Sequence, residues 1–281
     1  KVGIMKKSME MPPYNYAELG FIQNVPMAEQ RVFCSVPVYQ ILPVKYLINI
    51  LRNKTLRFNN ILYAWEDPYE LFMFKQKIVI DNYNDCSALF DMQKNFYGQC
   101  WSLNKDSDAM WRIYSPDKDG VRIKTSVGKM IEVLNQIRSV MWVAPLFGKV
   151  KYLPQNKITE WLLHTQSVEN IWIYNLLSDS LFIKRHEFEH ENEVRFLLYN
   201  GNFENASVHS NIHDDYIDVQ VEPAWFIEEI ALDPRLSDED LEDRKNILSS
   251  VIGDIPIYKS DLYTFESIKL SYKRSVLDPR I

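Results

Sequence analysis

Glycine and cysteine are scarce in this chain, with 8 Gly and 3 Cys among 281 residues. No G-x-G-x-x-G, G-x-x-x-x-G-K-[ST] or G-x-S-x-G is spelled anywhere. Those loops need glycine where backbone N–H groups close on a phosphate or where a nucleophile rides a strained turn. Dinucleotide-fold dehydrogenases, P-loop enzymes and α/β-hydrolases are therefore disfavoured. Cys34, Cys86 and Cys100 are an odd set without metal-ligand spacing. They fit a reducing cytoplasm better than a disulfide scaffold. No apolar run approaches the roughly 18 residues of a bilayer-spanning helix, so no membrane partner is expected. Lys1 to Pro12 carries charge with no apolar core behind it, so no signal peptide is expected there, and Met5 is a candidate native start. Basic excess is missing too. The net charge of -6 argues against a generally basic nucleic-acid surface and leaves room only for a local patch.

What is present is an ordinary globular balance, 46% hydrophobic and 25% charged, which excludes a disordered chain. Seven Trp and 16 Tyr can fill a core or line a pocket for a planar ligand.

Residues 1–30 hold Pro12, Pro13 and Pro26 with little periodicity and read as an arm. The remainder, 31–281, reads as one catalytic-type domain. Strands are expected at Val32–Tyr39, Thr55–Phe58, Phe96–Leu103, around Val121 and Ile123, twice within 139–152, at Val194–Tyr199 before the Asn200-Gly201 turn, near 216–221 and 226–232, and at Ile255–Tyr258. Helices are expected after Pro43 (Val44, Leu47, Ile48 and Leu51 on one face), at Asp67-Pro68-Tyr69-Glu70 as a capping-box-like start, from Ser107 to Tyr114, after Ser126, over 158–177 and from Ser237 to Val251. No regular βαβ rhythm emerges. The class expected is α+β, with mixed β-sheets flanked by helices.

Two motifs carry possible chemistry. His186-Glu187-Phe188-Glu189-His190 spells H-E-x-x-H, which on a helix would hold zinc for a hydrolase. The strand pattern that follows favours two surface histidines instead, so no metal is expected. Read as a strand, His190–Tyr199 sends Val194, Phe196 and Leu198 to one face and Glu191, Glu193 and Arg195 to the other. An E-x-E at a strand head suits glycosyl chemistry. One carboxylate steadies an oxocarbenium-like centre and the other handles the incoming nucleophile. The plain alternative is a solvated strand edge with a Glu–Arg pair.

Val38-Tyr39 with Asn53 to Phe58, Trp65-Glu66-Asp67-Pro68-Tyr69-Glu70, Gly98 to Ser102 with Ser107 to Tyr114 and Gly120 to Ile123, and Lys184 to Arg195, in that order, carry a resemblance over about residues 36–235. The chain resembles a bacterial family, domain-of-unknown-function family 2971. It is more weakly similar to the ADP-ribosyltransferase scheme, which implies a split sheet with NAD as substrate. That likeness implies Glu193 at the nicotinamide ribose, Glu191 at the acceptor and Ser102 orienting Glu193. It sets Tyr39 and Gln40 at the NAD-holding first strand. It implies Trp101, Trp111 or Tyr114 stacking on a base, and Arg112 or Arg57 meeting the pyrophosphate. Gln40 departs from the scheme, because an amide supplies no charge to a phosphate. The implied activity is a cytoplasmic bacterial ADP-ribosyltransferase-like effector, a toxin or phage-defence protein, with a protein or nucleic-acid acceptor. A non-catalytic binding module of the same fold is the alternative.

Overall fold

The computed structural model describes residues 22–26, 28–76, 92–138, 143–165, 173–200 and 213–272. Most of the expected arm therefore lies outside the described residues, as do Cys86 and Gly201.

Among the described residues, ten strands form one mixed sheet: β1 (Ile22–Gln23), β2 (Pro37–Pro43), β3 (Thr55–Asn60), β4 (Phe96–Ser102), β5 (Gly120–Ser126), β6 (Val143–Lys149), β9 (Glu193–Asn200), β10 (Tyr216–Gln220), β11 (Glu229–Leu232) and β12 (Ile257–Lys259). Strands β7 (Lys151–Leu153) and β8 (Ile183–Arg185) pair separately. The protein is α+β. The main path runs β1-β6-β9-β4-β2-β5-β11-β12.

The sheet forks at β4. One edge of β4 pairs fully with β9. The other edge meets β2 only at Tyr39–Ser102, and β3 only at Asn59–Gly98 and Asn60–Tyr97. Helix Val44–Asn53 joins β2 to β3 and buries Val44, Leu47, Ile50 and Leu51. Its C-cap Lys54 adopts φ 54°, ψ 39°, which turns the chain directly into β3. This link leaves a gap between β2 and β3.

One transverse row crosses the sheet as Glu193–Ser102–Tyr39–Lys124–Glu229. Residues opposite one another in antiparallel strands share a face. Val38, Leu42, Trp101, Ile123, Val194 and Phe196 lie on the other face, in the larger core, with Met130, Ile131 and Leu134 of helix Val127–Arg138. Each such buried side chain contributes roughly 1.5–3 kcal/mol. A second core, with Phe72, Phe74, Phe96, Phe182 and Leu197, covers the opposite side. Strand β9 is thus buried on both faces.

Several elements differ from the sequence pattern. Gln30–Phe33 form a helical turn, and the strand expected from Val32 starts at Pro37. Asp67 caps as expected, accepting from the Tyr69 N–H at 3.1 Å while Arg185 pairs with both its oxygens, but Asp67 to Glu70 make a turn rather than a helix start, and Glu70 turns inward to Lys184 and Arg195. The helix expected over 158–177 is seen as Gln155–Thr165 and Ile173–Ser180. Pro223–Phe226 form a turn of helix ahead of β11. His186–Glu191 form a 3-10 helix, so β9 starts only at Glu193.

Candidate active site

The gap between β2 and β3 opens as a cleft of about 970 Å³. Its lining includes Tyr39, Arg57, Trp65, Glu70, Cys100, Ser102, Lys105, Tyr114, Arg122, Lys184, Phe188, Glu191 and Glu193. A buried cluster of charge borders it. Lys184 Nζ donates to Glu191 at 2.5 Å and to Glu193 at 2.7 Å, and lies 3.3 Å from Glu70. Arg195 Nε donates to the other Glu193 oxygen at 2.8 Å, Nη1 to the Leu181 carbonyl at 2.7 Å, and Nη2 to Glu70. The Trp65 ring lies 4.1 Å from the Arg195 guanidinium carbon. Three carboxylates thus share two cations in near-complete burial, an arrangement held only by mutual compensation.

Local conformation builds this cluster. Glu193 and Arg195 alternate onto one face of β9. Glu191 arrives differently, from the 3-10 turn, with Asn192 at φ 46° and ψ 58° reversing the chain. That left-handed conformation suits Asn. The turn is pinned from β4. Ser102 Oγ donates to the Glu191 carbonyl at 2.7 Å, and Asn104 Nδ2 donates to the His190 carbonyl at 3.0 Å. The Glu193 N–H donates to Tyr152 Oη at 2.9 Å.

The two carboxylates are driven apart in acidity. Burial, and then Glu193 beside it, push Glu191 up to about 8. Burial acts on Glu193 in the same sense, but Arg195, Glu191 and Lys184 overrule it and hold that carboxyl well below the usual range. Burial opposes the charge on Lys184, yet Glu193 and Glu70 keep its ammonium above its ordinary value. The Cys100 thiol is pushed well up by burial and then by Glu193, so it stays protonated. Paired groups with separated pKa values are the pattern of an acid–base site.

The expected site residues divide. Glu193, Glu191, Ser102, Tyr39, Gln40 and Tyr114 border the cleft, and Tyr114 Oη donates to Glu191 at 3.4 Å. Ser102 does not touch the Glu193 carboxylate; its hydroxyl holds the Glu191 main chain instead. Gln40 alternates with Tyr39 onto the side of Val38 and Leu42, and its amide spans the fork to the Cys100 carbonyl at 3.1 Å. Arg57 lies on the cleft wall, paired with Asp218 at 2.8 Å through two nitrogens and stacked on Tyr216. Three assignments are corrected. Trp101 touches the cleft lining but is 1% exposed and packs edge-on against Phe226 in the core, so its ring offers no open face to a base. Trp111 is fully buried, with Nε1 bonded to Asp106. Arg112 points to solvent, pairs with Asp108 four residues before it, and stays off the cleft lining.

Lys184 and Glu70 were missed. Glu70 closes the W-x-D-P-x-E motif, where its spacing from Asp67 suggests a cap, while Arg195 and Lys184 draw its carboxylate inward. The H-E-x-x-H spelling lies on the 3-10 helix, where residues four apart do not share a face. No group of three or more potential metal ligands occurs among the described residues. Among them, no helix is long and apolar enough to cross a membrane.

The fold and site define an α+β protein with a forked sheet and a carboxylate–cation cluster at the fork. A family model described as a protein of unknown function (DUF2971) matches residues 110–196, which hold the W-R-x-Y helix and the E-x-E-x-R strand. No curated protein matches the sequence. Among solved structures, the chain is similar to Thermus sp. 2.9 DarT in complex with ADP-ribosylated ssDNA (13% identity, TM-score 0.34, covering 80% of this chain and 94% of that one). The same protein in complex with NAD+ and with carba-NAD+ gives TM-scores of 0.33 and 0.32 at 13% identity, each covering 79% of this chain and 94% of that one. Likeness of that degree carries no argument about activity.

Proposed function

We propose that this chain is an NAD-dependent ADP-ribosyltransferase acting on a protein or nucleic-acid acceptor. The observation that carries the reading is the Glu193 carboxylate, buried beside the cleft between Lys184 and Arg195 with Glu191 next to it. In the proposed step the C1′–N bond of the nicotinamide ribose breaks, and its electron pair leaves with nicotinamide. Positive charge develops over C1′ and the ring oxygen. The Glu193 carboxylate stabilises that charge and accepts from a ribose hydroxyl. Lys184 and Arg195 each take one lone pair of the four it offers. An acceptor O–H or N–H then bonds to C1′ and passes its proton to Glu191, which serves as a base only when ionised. We assign Arg57 and Lys105, both bordering the cleft, to the pyrophosphate. Lys105 is only loosely paired, 3.6 Å from Asp261. A bacterial effector role follows from the family resemblance only by analogy.

A binding module without turnover is the second reading. It is favoured by the engagement of both Glu193 oxygens in salt bridges that are complete without a ligand. Nicotinamide release from NAD, measured with purified protein with and without candidate acceptors, separates the two. NAD binding with no release supports the module, and release lost in Glu193→Gln supports the enzyme.

A further inference from the structure

Tyr263 to Tyr272 are exposed throughout. Of the twelve large hydrophobic side chains exposed among the described residues, five fall within these ten: Tyr263, Phe265, Ile268, Leu270 and Tyr272, with Phe265 87% exposed. Single exposed apolar residues are ordinary, but such a concentration marks a surface that finds a partner. Ile268, Leu270 and Tyr272 alternate with Ser267, Lys269 and Ser271, so in extended chain they share one face. The segment is tethered at the cleft rim. Ser260 Oγ donates to Asp106 at 3.0 Å, Asp261 lies 3.6 Å from Lys105, and Tyr263 Oη donates to Asp108. Lys105 borders the cleft, and helix Asp108–Tyr114 continues that wall. Its Met110, Ile113 and Tyr114 stand three and four residues apart, so they share one face, and all three border the cleft. Ile113 and Tyr114 are exposed there. From Thr264 to Tyr272 the chain extends to about 26 Å, against a helix diameter of about 10–12 Å. That length crosses the helix and reaches the Met110, Ile113 and Tyr114 stripe at the cleft mouth. The tether favours this stripe over a free partner, because it holds the segment beside it at about millimolar effective concentration.

Resting on the NAD reading above, we infer that Phe265 to Tyr272 form a strap that closes over the cleft mouth when a dinucleotide is bound, with Ile268, Leu270 and Tyr272 laid on Met110, Ile113 and Tyr114. The ligand itself biases closure. A pyrophosphate at Lys105 takes the place of Asp261, which frees the root of the strap, while Ser260 and Tyr263 keep it beside the helix. Closure covers Tyr114, the hydroxyl next to Glu191, and keeps water from the glycosidic bond.

The test is amide hydrogen exchange over residues 265–272 of the full chain, with and without carba-NAD, whose carbocyclic ring keeps nicotinamide in place. Binding is followed in parallel by calorimetric titration. The expected result is exchange slowed by about 10-fold or more in the bound state. In a variant carrying both Ile268→Asp and Leu270→Asp, the slowing is expected to vanish and the affinity for carba-NAD to fall about 3- to 10-fold. Both positions are exposed, so the variant is expected to fold as wild type does. Binding by wild type with exchange unchanged over 265–272 overturns the strap. So does slowing that survives in the variant. Slowing that appears without ligand and grows with protein concentration overturns it in favour of docking on a second copy. Absence of binding by wild type overturns the NAD reading and the strap with it.

Discussion

Glu191 and Glu193 share one ammonium: Lys184 Nζ stands 2.5 Å from the first and 2.7 Å from the second. Glu193 also holds Arg195, whereas Glu191 meets the Tyr114 hydroxyl and the Glu193 carboxylate itself. That inequality makes one carboxylate a fixed anion and the other a proton holder.

Glu193→Gln keeps the size of the side chain and removes the charge that meets the developing cation. Nicotinamide release is expected to fall by orders of magnitude with the circular dichroism spectrum unchanged. Equal release rates would remove Glu193 from the mechanism.

Glu191 gives the chain a pH-dependent stability. Its folded value of about 8 lies above the ordinary 4.5, so the folded state binds the proton more tightly. The stability contributed is complete below about pH 4.5 and is lost as pH rises through about 8. Thermal midpoints of wild type are expected to fall across that window, and those of Glu191→Gln to fall less. Parallel curves would show that Glu191 is not protonated in the fold. Glu193 has the opposite sign, because its lowered value contributes stability above the ordinary 4.5 that is lost as pH falls further.

Lys184→Met removes the ammonium from among three buried carboxylates. The expected cost is about 3–5 kcal/mol in urea unfolding, since the partners are left buried and under-compensated. A cost below about 1 kcal/mol would mean that water reaches the cluster.

Arg112→Lys is expected to leave NAD affinity unchanged, against what the sequence resemblance implied. The guanidinium side chain is 62% exposed and its pair with Asp108 is a surface one. A severalfold weakening in titration would bring Arg112 back into the site.

His186→Ala is expected to shift unfolding by no more than about 0.5 kcal/mol and to leave nicotinamide release unaltered. His186 is 60% exposed, and its near neighbour is Glu189 at 3.1 Å. Stoichiometric zinc that is lost in this variant would restore the hydrolase reading.

The sequence by itself determined the α+β class, most strands and helices, and the pairing of Glu193 with Arg195, because period-2 and period-3.6 patterns are local. Trp101 alternates with Ser102, and its ring goes into the core, where it is 1% exposed. Only the tertiary structure decided that Glu70 and Lys184 meet Glu193. They come from a turn 123 residues before it and a short strand 9 residues before it, and the side-chain direction of Glu70 depends on Arg195 being buried where it is. Tertiary structure also decided that β2 and β3 divide the edge of β4. No local pattern specifies which of two strands a third will pair with, because that choice belongs to long-range register and to the helix that holds β2 and β3 apart.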